Sequence, residues 1–130
     1  MNCKHVMVVD DDDNIRDCIK DVLEYEGYDV YSACNGKDAL EQLKALPEKE
    51  LPGCIFLDLM MPIMDGITFL ERVEEKDQAQ LAHIPVLVTS ANLQGYNQDS
   101  LHHAVEKLNK PLDIDVIFDA VHHYCGQPIH

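Results

Sequence analysis

The residues best placed to do chemistry sit where short apolar runs stop. His5 to Asp10 reads HVMVVD and runs into Asp11, and Cys54-Ile55-Phe56-Leu57 runs into Asp58. IPVLVT, from Ile84, ends on Thr89-Ser90, and a poorer run ends on Lys110-Pro111. If these runs are neighbouring strands, ~4.8 Å apart, carboxylates on adjacent tips can share one cation. Three close carboxylates repel one another, and a hard divalent ion with oxygen ligands relieves that repulsion. Mg²⁺ fits, since it takes one or two carboxylates and keeps several waters. A hydroxyl (Thr89) and an ammonium (Lys110) beside the acids offer a donor and a counter-charge to the equatorial oxygens of a phosphoryl group. An Asp carboxylate that is itself phosphorylated is an established form of covalent catalysis.

The elements that must hold these residues alternate along the chain. The Val-rich run at His5 to Asp10 suits a strand buried on both faces. Asp12 or Asp13 can cap a helix whose Ile15, Cys18, Ile19, Val22 and Leu23 share one face, and Gly27 can close it. Tyr28 to Ala33 reads as a second strand, and Lys37 to Leu46 as a short helix. Pro47 and Pro52 bracket a loop before the third strand. Ile67, Phe69, Leu70 and Val73 support a third helix, and Ile84 to Thr89 a fourth strand. The stretch from Ser100 to Asn109 is ambiguous: Leu101, Ala104, Val105 and Leu108 have helical spacing, yet a fifth strand is due before Lys110. A helix to about Val105 and a short strand to Asn109 is the expectation. Ile114, Ile117, Phe118, Val121 and Cys125 then stripe the last helix. This alternation predicts an α/β fold of right-handed βαβ units, a parallel sheet covered on both faces. In such sheets ligands bind at the carboxyl ends of the strands, near the switch in strand order.

Composition narrows the function. The 130 residues fit one domain, with a core spanning about residues 4–125. Ten basic residues against 24 acidic ones leave a net charge of −14, which disfavours nucleic acid and anionic membrane as partners. Residues 10–29 alone carry nine acids against Arg16 and Lys20, half of that charge. No apolar run nears the ~18 residues of a membrane span and no signal-peptide pattern opens the chain, so a cytoplasmic protein is expected. Five cysteines, odd in number and never spaced CxxC, read as reduced thiols, with Cys18 and Cys54 in the core.

Blander readings compete at several positions. Asp12 and Asp13 suit a helix N-terminus against its dipole, and Asp65 suits a turn before Gly66. A calcium loop fails, because Ile15 stands where an EF-hand needs its sixth-position Gly. His102-His103 and His122-His123 invite a zinc reading, but adjacent helical residues point ~100° apart and cannot chelate as a pair. Met60, Met61 and Met64 read as loop and core residues.

Taken together, VVDD at Val8 to Asp11, LDLMMPIMDG at Leu57 to Gly66, TSA at Thr89 to Ala91 and Lys110-Pro111 resemble the receiver (response-regulator) domains of two-component signalling. The resemblance spans about the whole chain. It implies a flavodoxin-like (βα)5 fold with strand order 2-1-3-4-5. It further implies Asp58 as phosphoacceptor, Asp11 as direct Mg²⁺ ligand, Asp10 as holder of metal-bound water and Met60 as a ligand through its backbone carbonyl. Thr89 and Lys110 become the switch hydroxyl and the phosphate-contacting lysine, and Lys110-Pro111 a cis peptide. The partners implied are a sensor histidine kinase or histidine phosphotransfer protein and an effector protein. The expected activity is that of a signalling phosphoacceptor rather than an enzyme. It would add at most self-phosphorylation from small donors and slow autodephosphorylation.

This chain also departs from the family pattern. Lys107 replaces the aromatic residue three positions before the lysine, and the usual Ala-Gly-Ala run before the last strand is missing. Only Gly126 to His130 follow the last helix, so no output domain is expected. Autodephosphorylation in receivers is tuned two residues beyond the phosphoacceptor and two beyond the switch hydroxyl. Those positions are Met60 and Ala91, neither able to orient a water. Two other functions compete. A haloacid-dehalogenase-like phosphatase needs a second Asp where Met60 stands. A phosphate-independent binding module would be favoured if Asp11, Asp58 or Lys110 were missing, and none is.

Overall fold

The computed structural model describes residues 3–60, 64, 66–73, 81–91 and 104–126. In chain order these form β1 (His5–Val9), α1 (Asp13–Glu26), β2 (Asp29–Ala33), α2 (Gly36–Ala45), a 3-10 turn (Glu48–Glu50), β3 (Ile55–Asp58), α3 (Gly66–Val73), β4 (Val86–Ser90), β5 (Ala104–Asn109) and α4 (Ile114–Cys125). The five strands form one parallel sheet in the order β2-β1-β3-β4-β5.

The apolar runs explain the layers. Successive strand residues face opposite sides, so each run feeds two cores. Met7 and Val9, Ile55 and Leu57, and Val86 and Val88 pack with Leu40 and Leu43 of α2 and Phe69, Leu70 and Val73 of α3. Val6 and Val8, Phe56 and Leu87 face the other way, onto Ile19 and Leu23 of α1 and Ile117 and Val121 of α4. A strand buried on both faces needs apolar residues at every position, which is why these runs do not alternate with polar ones.

Local signals set the helix ends. Asp12 caps α1 by accepting from the backbone N–H groups of Asn14 (2.9 Å) and Ile15 (3.2 Å). Gly27 ends the helix at φ 114°, a left-handed conformation that glycine adopts without a steric penalty. Asn35 caps α2 through Asp38 N–H.

Three expectations need correcting. Ala104 and Val105 belong to β5, not to the end of a helix. Their spacing with Leu108 is helical by coincidence, and pairing with β4 decides the conformation, with a register shift between Val86 and Leu87. Residues 92–103, which hold the rest of that expected helix and His102-His103, lie outside the described residues, as do Met61 and Asp65. Cys18 is exposed rather than in the core, on the edge of α1's apolar stripe. Cys3 and Cys125 are joined in a disulfide, so they are not free packing thiols. Among the described residues no helix is long and apolar enough to cross a membrane.

Candidate functional site

The parallel sheet places the carboxyl ends of β1, β3, β4 and β5 along one edge. Asp10 and Asp11 follow β1, Asp58 ends β3, Thr89 lies next to last in β4, and Lys110 follows β5. Asp58 and Thr89 are direct partners in the β3–β4 register. Since β1 and β3 are neighbours while β2 lies on the far side of β1, chain direction diverges next to these acids. That is the crevice where open α/β sheets bind ligands.

Within this crevice, carboxylate oxygens of Asp10, Asp11 and Asp58 all lie within 4.8 Å of one another. Asp10 is 2% exposed, Asp58 5% and Thr89 3%, whereas Asp11 is open to solvent. The Lys110 ammonium reaches across to Asp10 Oδ2 (3.0 Å) and Asp58 Oδ1 (3.5 Å). Backbone groups complete the frame. Asp12 N–H donates to Asp10 Oδ1 (2.9 Å) and Met60 N–H to Asp58 Oδ1 (3.2 Å). Lys110 N–H donates to the Ser90 carbonyl (2.9 Å), and the Lys110–Pro111 peptide is cis.

Three acids against one ammonium leave the pocket electronegative. Burial pushes the Asp58 carboxyl up to about 6, and repulsion from Asp10 and, less strongly, Asp11 adds to this. The Met60 N–H and Lys110 pull the other way without cancelling it. For Lys110, burial favours the neutral amine. The Asp10 hydrogen bond and the charges of Asp10 and Asp58 outweigh burial and raise its pKa, so it is an ammonium at neutral pH. Oxygen-only donors, excess negative charge and one solvent-open ligand fit a small divalent cation that keeps water, which is the coordination habit of Mg²⁺. The same pocket can host a phosphoryl group only if its added charge of about −1.5 to −2 is neutralised.

All six residues singled out from the sequence, Asp10, Asp11, Asp58, Met60, Thr89 and Lys110, lie on this edge. Lys107 is exposed on β5. His122 contacts Glu26 Oε1 (3.1 Å), and the acidic trio is the one metal-type cluster found among the described residues.

Two supporting residues escaped the sequence reading. Arg16 donates to the Asp10 carbonyl (2.7 Å) and pairs with Asp13, fixing the turn that aims Asp10. Gly66 packs so tightly that a Cβ there would lie 2.7 Å from Leu59 Cα and 2.9 Å from the Asp58 carbonyl oxygen. Its N–H also bonds the Leu59 carbonyl (3.1 Å). The spacing of Arg16 from Asp13, one helical turn, was a signal for the first. A close backbone approach, the reason for the second, leaves no mark in one sequence. Beside Lys110 opens an apolar cavity of about 420 Å³, lined by Ile15, Cys18 and Ile19 of α1 and by Pro111, Leu112 and Ile117.

Comparison with known proteins agrees with this fold. Residues 6–122 match the model of the response regulator receiver domain. The chain is 35% identical over 121 residues to sporulation initiation phosphotransferase F of Bacillus subtilis (strain 168), covering 92% of this chain and 91% of that protein. It is 41% identical over 86 residues to the sensor histidine kinase TmoS of Ectopseudomonas mendocina, matching 66% of this chain but only 8% of the kinase. Among solved structures it resembles the Francisella response regulator 1452 receiver domain, at 29% identity and a TM-score of 0.78, covering 94% and 96% of the two chains. The response regulator TrrA of Thermotoga maritima, crystallised in complex with Mg²⁺-BeF, matches at 25% identity and a TM-score of 0.78, covering 94% and 99%. The chain belongs to the response regulator receiver domain family, the phosphorylation-dependent signalling domains of two-component systems.

Proposed function

We propose that Asp58 is the phosphoacceptor of this domain and takes its phosphoryl group from a phosphohistidine on a sensor histidine kinase or histidine phosphotransfer protein. The observation that carries this reading is the Lys110 ammonium bridging Asp10 and Asp58 within a trio of converging carboxylates. With Oδ1 of Asp58 engaged by the Met60 N–H and Lys110, Oδ2 is the attacking oxygen. An O–P bond forms as the donor's N–P bond breaks, and the imidazole leaves with the bonding pair. Lys110 and the Thr89 hydroxyl then take two of the phosphoryl oxygens.

Asp10, Asp11, Asp58 and the backbone carbonyl of Met60 would hold Mg²⁺, with Asp10 acting through a bound water. When bound, the ion neutralises charge developing on the transferring group. The crystallisation of TrrA in complex with Mg²⁺-BeF supports a Mg²⁺ site here.

The likeness to a phosphotransferase along 91% of its length supports a relay role, in which phospho-Asp58 passes its group to a second histidine. Direct modulation of an effector protein is the other output of the same state. We place this exchange in the cytoplasm. Hydrolysis of phospho-Asp58 is slow in this reading, because neither Met60 nor Ala91 carries a group that can align water for in-line attack. Met60 is 63% exposed and does not seal the pocket, so the slow hydrolysis comes from the missing hydrogen-bonding groups alone. A phosphate-independent binding module is not favoured, since it would not need the complete acid–lysine constellation.

Incubation with acetyl phosphate and Mg²⁺ tests the proposal. Wild-type protein should gain one phosphoryl group, and Asp58→Ala, or protein in EDTA, should gain none. Equal labelling of Asp58→Ala would refute the assignment.

A further inference from the structure

At the edge of the sheet opposite the acidic pocket, Cys3 precedes β1 and Cys125 ends α4, their Cα atoms 5.2 Å apart across 122 residues of sequence. This falls inside the ~4.4–6.8 Å that a disulfide spans without moving backbone. The surroundings are shaped for two sulfurs. A Cβ at Gly53 would come within 2.5 Å of Cys3 Sγ and 2.7 Å of Cys125 Sγ, so the pair fits only because residue 53 has no side chain. Gly53 is itself fixed by its N–H bond to the His5 carbonyl (2.8 Å), and both sulfurs lie against that same oxygen.

The two thiols differ in access. Cys3 is partly exposed, whereas Cys125 is 1% exposed. Cys54 belongs to the same core, but burial pushes its thiol up to about 12, so it stays protonated and does not compete.

We propose that Cys3 and Cys125 form a reversible thiol–disulfide switch that locks the C-terminal end of α4 to the start of β1. Cys3 is the entry thiol. Its thiolate attacks a small disulfide of the glutathione class, forming a mixed disulfide and releasing one thiolate. Cys125 then attacks Cys3 Sγ, forming the protein disulfide and releasing the second thiolate. Overall two protein thiols are oxidised and one small disulfide is reduced to two thiols. A reducing thiol pool reverses both steps, as suits a disulfide that is made and broken inside a cell. Because the bond joins residues 122 positions apart, it closes a long loop, the case in which a crosslink restricts the unfolded state most.

The test uses fully reduced protein exposed to glutathione disulfide, then alkylated and weighed. Of five alkylatable thiols, two should be lost together with two hydrogens, and a Cys3–Cys125 linked peptide should appear. The melting temperature should rise by roughly 5–15 °C over the reduced form. Cys125→Ser should stall as a mixed disulfide on Cys3. Cys3→Ser, altering the more exposed partner, should show neither crosslink nor thermal response. Five free thiols after oxidation, a link through Cys18 or Cys34 instead, or the same thermal shift in Cys3→Ser would each overturn the proposal.

Discussion

Replacing Asp58 with Asn should stabilise the metal-free domain, and by an amount that depends on pH. Asn keeps the shape and can still accept the Met60 N–H bond, but it removes the buried charge that burial and Asp10 oppose. The Asp58 carboxyl titrates at about 6 in the folded protein against 3.8 ordinarily. The folded state therefore binds the proton more tightly than the unfolded state. Folding is favoured below both values and weakens as pH rises from about 4 to 6. A tenfold change in proton affinity is worth about 1.4 kcal/mol, so the ionised carboxylate costs the fold about 2–3 kcal/mol at neutral pH. The cost is about half as large near pH 5, where the folded carboxyl is mostly protonated. Lys110 still has Asp10, 3.0 Å away in the native chain, as its partner in the variant, so the ammonium is not left unpaired. Urea unfolding followed by far-UV circular dichroism in EDTA reads this directly. The Asp58→Asn variant should exceed wild type by the full amount near pH 7.5 and by about half near pH 5. Added Mg²⁺ should raise wild type more than the variant. Equal stabilities at neutral pH, or a difference that does not change with pH, would refute the electrostatic account of the pocket.

Two further outcomes follow from the surroundings of Asp58. Met60→Asn/Ala91→Glu restores polar groups near the line of water attack, so the phosphorylated double variant should decay about 10-fold faster or more in Mg²⁺; decay followed by radiolabel that matches the parent would show that these positions do not set the rate. Cys18→Arg places a charge in the apolar cavity beside Lys110. In the proposed transfer the phosphohistidine protein rests against this rim beside Lys110, so its transfer rate should fall about 10-fold or more while labelling by acetyl phosphate stays unchanged; a uniform fall with both donors would place the effect in the pocket itself.

The sequence was most legible where one physical demand acted on several neighbouring residues. Strands covered on both faces need unbroken apolar runs, and HVMVV, CIFL and VLV supply them, so the parallel sheet and the polar residues at its tips could be read together. Asp12 and Gly27 mark the ends of α1 because capping is local chemistry. Legibility failed where the deciding partner is remote. Ala104 and Val105 carry helical spacing, yet pairing with β4 fixes them as strand. Cys18 fits the apolar stripe of α1 by period but sits at its margin, beside the cavity. Cys3 and Cys125 are brought together by the docking of α4 near the start of β1, which no spacing between them foretells. Gly66 reads in the sequence only as the residue after a turn at Asp65, and its close approach to Leu59 and Asp58 emerges only in three dimensions.

On the proposed assignment Asp58, and no other acid in this crowded pocket, receives the phosphoryl group. Borohydride reduces an acyl phosphate to an alcohol and leaves free carboxylates intact, so it marks the phosphorylated residue. Wild-type protein treated with acetyl phosphate and Mg²⁺, reduced and then mapped by peptide mass spectrometry should show Asp58 converted to homoserine, with Asp10 and Asp11 unchanged. Conversion at Asp10 or Asp11, or none at Asp58 in protein that has taken up phosphate, would contradict it.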